Sequence, residues 1–192
     1  MAAEKHGRLD FSPFGRPSDI FYRAYTLLEN RTPIHADCGE LCGGACCKGT
    51  AADGMLLFPG EEAFLQKVFA ACPEKPAGFT FTGPAQRRLV TCSGACDRVF
   101  RPLACRIFPL FPALGADGRI RVMLDVRALR VCPMAKTAAR LDRDFIRAVR
   151  RTGRLLASLP ACRDFLRQQT EELEELARLV PLDKGLLPIR YR

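Results

Sequence analysis

Hydrophobic residues recur at helical spacing in four parts of the chain and at short, strand-like spacing in its middle. From about Ser18 to Asn30, Ile20, Tyr22, Ala24, Leu27 and Leu28 give a mixed apolar face, behind cap and first-turn signals from Ser18 and Asp19. A second helix is predicted from Pro59 to about Ala71, where a proline and the pair Glu61–Glu62 suit a first turn. After Cys132, Leu141, Phe145, Ala148, Val149, Thr152, Leu155, Leu156 and Leu159 recur in steps of three and four. That spacing predicts a helix with a core-facing stripe. Pro160 interrupts it. A last helix follows from about Cys162 to Val180, with Phe165, Leu166, Leu173, Leu176 and Val180 on one side and Glu171, Glu172, Glu174 and Glu175 around them.

Between Phe79 and Val126 the pattern changes. "GFTFTG", "RRLVTC" and "GRIRVMLD" are short β-branched or aromatic runs bounded by Gly, Pro and Asp, and they read as short strands. The expected fold class is α+β, mainly α. It has an irregular cysteine-rich metal core with short strands, covered by helices that include a C-terminal helical hairpin. Residues 1–17 read as a flexible tail, 18–134 as the cysteine-cluster core, and 135–192 as a helical extension packed on it. With 192 residues, 48% of them hydrophobic, the chain suits one structural domain with a core of its own.

The first residues, "MAAEKHGRLDFSPFGRPSD", lack a continuous apolar run, which argues against a signal peptide. The most apolar segment, "LACRIFPLFPALGA", is broken by Arg106, Pro109 and Pro112 and falls short of the ~20 residues of a membrane span. The expectation is a cytoplasmic protein without a membrane partner, its thiols reduced. In that compartment clustered cysteines point to metal ligation or redox chemistry more than to disulfides. The net charge of +9, mostly arginine, permits nucleic acid or an acidic protein as partner.

Eight of the ten cysteines form an ordered series. Cys38, Cys42, Cys46 and Cys47 open it in "CGELCGGACC"; Cys92 and Cys96 follow in "CSGAC", then Cys105 and Cys132. The glycines let a backbone fold tightly around an ion while thiolates converge. One zinc ion uses four ligands, so eight thiolates are twice what one site needs. Two four-thiolate sites fit the count, and so does one iron–sulfur cluster with spare cysteines. Neighbouring side chains tend to diverge, so Cys46 and Cys47 serve two sites or pair one ligand with one core thiol. A thiolate-bound centre is negative, and Arg98, Arg101 and Arg106 in "CDRVFRPLACRIFP" are placed to neutralise it. Cys72 and Cys162 sit on apolar stripes and read as core residues. His35 is either a ligand or simply a polar turn residue, and His6 gets no role.

The cluster ending in "CC", the cysteine pair, "RPLACRIFP" and the later cysteine together resemble the YkgJ-type cysteine-cluster family. That family is described as a zinc- or iron-chelating domain with eight cysteines. The resemblance runs from about Cys38 to Cys132. It departs in the first cluster, where the family has CxxCxxCC and this chain has CxxxCxxxCC. It implies metal binding, with zinc or iron as the cofactor. The cysteine cluster of flagellin lysine methylases is similar, and implies an iron–sulfur centre and methyl transfer as a further possibility.

No Walker A motif, dinucleotide fingerprint or HExxH occurs, and with two histidines a Cys–His hydrolase is disfavoured. Arg140, Arg143, Arg147, Arg151 and Arg154 step along one side of the penultimate helix. They could face phosphates or the acidic last helix. The leading expectation is a zinc- or iron-binding protein whose centre is structural or is handed to a protein partner. The alternatives are an iron–sulfur enzyme such as a protein methyltransferase, and a zinc module that binds nucleic acid through the arginine helix.

Overall fold

The computed structural model describes residues 19–36, 38–48, 54–71, 78–94, 96–135, 141–179 and 190–191. The expected 1–17 tail, Ser18, Cys72, Arg140 and Val180 lie outside these residues. The first helix, α1 (Ile20–Leu27), starts where the Asp19 carboxylate accepts a hydrogen bond from the Phe21 N–H at 2.9 Å. Its buried side is Phe21, Ala24, Tyr25 and Leu28; of the predicted face Ala24 and Leu28 are buried, while Ile20, Tyr22 and Leu27 are only partly so. At its far end the Arg98 guanidinium donates to the carbonyls of Leu28, Glu29 and Arg31 at 2.7, 2.6 and 2.7 Å. One side chain thus satisfies carbonyls that a helix terminus leaves unpaired.

The cysteine region contributes α2 (Cys38–Cys42) and a single 3-10 turn over Ala45–Cys47. A small antiparallel sheet follows, with β1 (Met55–Leu56), β2 (Thr80–Thr82) and β3 (Leu89–Thr91) in the order β1-β3-β2. β2 and β3 are the strands expected in "GFTFTG" and "RRLVTC". Between β1 and β2 lies α3 (Glu61–Ala71), which buries Phe64, Leu65 and Val68. Pro59 and Gly60 form the turn before it, so the helix begins two residues later than predicted.

The next stretch runs through α4 (Leu103–Ile107) into a hairpin of β4 (Leu110–Leu114) and β5 (Ile120–Leu124), with β6 (Arg190–Tyr191) on the other side of β5. β4 was not expected. All five of its residues are buried, so it shows no polar–apolar alternation. Its Pro112 sits on an edge strand, where a missing N–H costs no ladder bond. That edge is covered: the Leu114 N–H donates to Thr170 Oγ1 at 2.9 Å, from the last helix.

Beyond α5 (Ala128–Val131) come α6 (Arg143–Leu156) and α7 (Pro160–Leu179), the two helices expected as a hairpin; each packs on β4. Asp142 caps α6, accepting from the Phe145 N–H at 2.7 Å. Phe145, Ala148, Val149, Thr152 and Leu156 are buried, as their spacing predicts. Pro160 does not merely break the chain; it is the first residue of α7, where its fixed φ and absent N–H suit a helix start. Among the described residues no helix is long and apolar enough to cross a membrane. The fold is a mixed α+β arrangement in which α6 and α7 pack on the β4–β5 hairpin and α1 packs on α6.

A polar group stands at the centre of this core. Glu61 is fully buried. Its Oε1 accepts from the Tyr25 hydroxyl at 2.7 Å and the Leu103 N–H at 2.6 Å, and its Oε2 accepts from the Phe58 N–H at 3.1 Å. Burial raises its pKa, and these hydrogen bonds and the charge of Arg106 pull the other way. Arg106, 2% exposed, lies over the Tyr25 ring at 4.8 Å. It donates to the carbonyls of Arg98, Val99 and Arg101. Burial pushes its guanidinium down to about 10, so it stays charged at neutral pH.

Two stability predictions follow from this packing. At Gly153, in the last turn of α6, a Cβ would collide with Cβ of Pro112 and come within 2.9 Å of Cγ2 of Ile120. Gly153→Ala should therefore destabilise the protein, because an overpacking cost of ~1–3 kcal/mol outweighs a helix gain of ~1 kcal/mol. Gly153→Val should cost more, and urea denaturation giving the reverse order would contradict this. Glu61→Ala should lower stability by ~3 kcal/mol or more, since it leaves three buried donors without an acceptor. Tyr25→Phe should lose only about 1 kcal/mol. Equal losses would show that the carboxylate is not the centre of the group.

Candidate metal centre

Cys38 and Cys42 are four residues apart on α2 and therefore share one side of it. The chain then reverses through Gly43 and Gly44, both left-handed at φ 60° and 65°. Side chains are strained there, so glycine is what permits the reversal. The Gly44 N–H closes back onto the Gly39 carbonyl at 2.9 Å, and the Cys47 N–H onto the Gly44 carbonyl at 2.7 Å. Gly94, at φ 91°, lies in the turn between Cys92 and Cys96, and a Cβ on it would stand 3.6 Å from the Cys47 carbonyl oxygen. The two glycine turns therefore meet. α4 adds Cys105, and Cys132 follows α5 with its N–H on the Ala128 carbonyl at 2.7 Å.

These elements enclose a cavity of about 470 Å³. All eight cysteines of the series line it: Cys38, Cys42, Cys46 and Cys47 from the first cluster, then Cys92, Cys96, Cys105 and Cys132. Met55, Met134, Phe79 and Phe108 supply apolar wall, and no His, Asp or Glu is among the described lining residues. The nine described cysteines are free thiols. Cys46 Sγ and Cys47 Sγ are 4.0 Å apart. Among the described residues no three His, Cys, Asp or Glu side chains stand together in an arrangement that holds a metal ion. The structure thus brings the eight thiols to one cavity without drawing them onto a single point.

Four of the thiols, Cys46, Cys96, Cys105 and Cys132, have raised pKa values. The hydrogen bond with Cys47, then burial, raises Cys46; burial raises Cys105, Cys96 and Cys132. For Cys96, the hydrogen bond and charge of Arg101 oppose the rise. Any ion bound by these thiols would displace protons.

The three arginines expected around the centre separate. Arg101 lines the cavity and its Nη2 donates to the Cys96 carbonyl at 3.4 Å. Arg98 caps α1, and Arg106 lies in the buried group with Tyr25 and Glu61. Neither of these two lines the cavity. The reason is the five-donor guanidinium fork, which suits clustered backbone carbonyls as well as thiolates. His35 also lies away from the cavity, its Nε2 2.9 Å from Asp142 Oδ2. Cys162 is buried in the core and its thiol donates to the Pro59 carbonyl at 3.3 Å; burial raises its pKa to about 12.

Arg143, Arg147, Arg151 and Arg154 are exposed along α6. Arg147 pairs with Asp144 of its own helix at 2.8 Å, while Glu172 of α7 pairs with Arg87 at 2.8 Å. The sequence reading missed Glu61, taken as a first-turn charge, and the cavity walls Met55, Met134, Phe79 and Phe108. Met134, two residues after Cys132, is the one wall residue whose position next to a candidate ligand was visible. No protein-family model, curated protein or solved structure matches the chain.

The Arg101–Cys96 contact makes a prediction. Arg101→Gln keeps the bulk and removes the charge, so Cys96 should lose thiolate. In metal-free protein near pH 8, alkylation of Cys96 read by peptide mass spectrometry should slow several-fold. An unchanged or faster rate would contradict the role of Arg101.

Proposed function

We propose that the protein binds zinc or iron, the iron as an ion or within an iron–sulfur cluster, through the cysteine thiolates of this cavity. One observation carries the reading. Eight cysteines from separate stretches of the chain line a single cavity whose described lining offers no carboxylate or imidazole. A donor set of thiols beside two thioethers is soft, and soft sets favour zinc and iron–sulfur centres over magnesium or calcium. The resemblance to the YkgJ-type family implies the same ligands.

Cys38, Cys42, Cys46, Cys47, Cys92, Cys96, Cys105 and Cys132 would hold the metal. A bound zinc would cross-link the segments that carry its thiolates, and an iron–sulfur cluster would add one-electron chemistry. The chain's own part is to bring the thiols close, to surround them with apolar wall, and to set one cation, Arg101, beside Cys96. Because the thiols are not yet gathered and Cys46, Cys96, Cys105 and Cys132 have raised pKa values, uptake draws the cavity walls together and releases protons, and affinity strengthens as pH rises. The centre then either stabilises the fold or is passed to a protein partner.

The test is metal analysis with a visible spectrum on anaerobically purified protein. Zinc or iron should be present in stoichiometric amount. Zinc protein should be colourless, and a cluster should give brown protein with absorption near ~400 nm. Cys105→Ser and Cys96→Ser should lower the metal content, while Cys162→Ala should leave it unchanged. Protein that carries neither metal and takes up neither when titrated under reducing conditions would sink the reading.

A further inference from the structure

Helix α6 presents a surface that metal binding does not use. Every exposed residue of this helix is an arginine: Arg143, Arg147, Arg151 and Arg154. They recur in steps of four, four and three, so they share one side, opposite the buried Phe145, Val149, Thr152 and Leu156. At a rise of ~1.5 Å per residue the row is about 16 Å long. Arg163 extends it: this residue is exposed, and its Nε donates to the carbonyl of Ala157, one residue past α6, at 2.8 Å.

The row works against the helix that carries it. Like charges at i and i+4 destabilise a helix, and Arg143–Arg147 and Arg147–Arg151 are both such pairs. One acid relieves the first turn only: Asp144 pairs with Arg147 at 2.8 Å and with Arg31 at 3.4 Å. The acidic last helix, the other neighbour expected for these arginines, does not answer them. Its Glu172 turns to Arg87 at 2.8 Å, and among the described residues no α7 carboxylate pairs with the four. α6 packs instead on α1, β4 and β5. A repulsion with no compensating contact inside the fold points to a compensating charge outside it.

The make-up of the face selects the partner. A membrane-surface helix inserts an apolar side, and the apolar side of α6 is buried in the core. A protein interface centres on aromatic or apolar anchors, and α6 exposes none. Without an exposed aromatic there is also no platform for single-stranded bases. What α6 offers is a line of guanidinium forks, each suited to a two-point contact with a phosphate. We propose that the arginine face of α6 binds the phosphate backbone of a nucleic-acid duplex without reading its sequence. This binding is independent of the thiol-lined cavity and does not rest on the metal-binding reading.

The experiment titrates the full chain, as purified, into a fluorescently labelled mixed-sequence DNA duplex and follows polarisation as salt rises. Four phosphate contacts predict that the logarithm of affinity falls against that of salt with a slope of about −4. Arg151→Gln and Arg154→Gln together should bring the slope to about −2 and weaken binding at least several-fold, and each alone should change the slope by about one. Lys67→Gln with Arg130→Gln, exposed on α3 and α5, removes the same charge and should leave both readouts unchanged. A urea midpoint no lower than that of the parent confirms that the α6 variants fold. Equal weakening by the two double variants would reduce the effect to net charge and overturn the proposal. So would a duplex that does not bind at low salt. Binding to phosphatidylserine-containing vesicles in place of the duplex would assign the face to a membrane and overturn it as well.

Discussion

The buried carboxylate of Glu61 joins the parts of the molecule that surround the cavity. It sits at the start of α3, reaches back to the Phe58 N–H, holds the first N–H of α4 at Leu103 and receives the Tyr25 hydroxyl from α1. A carboxylate taken out of water is tolerated only when donors and a cation replace the lost hydration. Here three donors and the nearby Arg106 do so. The arrangement is mutually dependent: Arg106 itself is buried only because Tyr25 lies beneath it and three backbone carbonyls accept from it.

Position follows from this. α4 carries both Arg106 and Cys105, so the contact that seats Arg106 in the core also sets Cys105 in the cavity wall. The turn before α4 is held from two directions, by Arg106 on the carbonyls of residues 98, 99 and 101 and by Arg98 on the end of α1. Arg101, between them, is left facing the thiols. "CDRVFRPLACRIFP" is thus less a ring of cations around a metal than a scaffold with one cation turned toward the cavity. The glycine reversals at Gly43–Gly44 and Gly94 complete the enclosure, since the two cysteine clusters approach closely there.

Packing of α6 and α7 on the β4–β5 strands is the second constraint. Gly153 lets the helix approach Pro112 and Ile120, and Thr170 supplies the acceptor that edge strand β4 lacks. The edge proline and the helical glycine look unfavourable when each is read alone. Together they form one close contact, and each accounts for the other.

Periodicity and spacing along the chain were enough for α1, α3, α6 and α7, because an amphipathic helix repeats its own pattern locally. Glycine and β-branched runs likewise located β2, β3 and β5. The grouping of eight cysteines was legible as a candidate site because their clustering is a one-dimensional fact. β4 was not legible, since a strand buried on both sides has no alternation. Nor were the separate tasks of Arg98, Arg101 and Arg106, which share a residue type and a short segment. Which guanidinium meets a thiol and which meets carbonyls depends on groups about seventy residues away along the chain, on α1. The same holds for Glu61, indistinguishable by sequence from its neighbour Glu62, yet one is buried at the core and the other pairs with Arg88 at the surface. Residue type and local pattern set what each segment can do; only tertiary contact decided which side chains share an environment, because burial and charge are properties of neighbours that the chain brings together from afar.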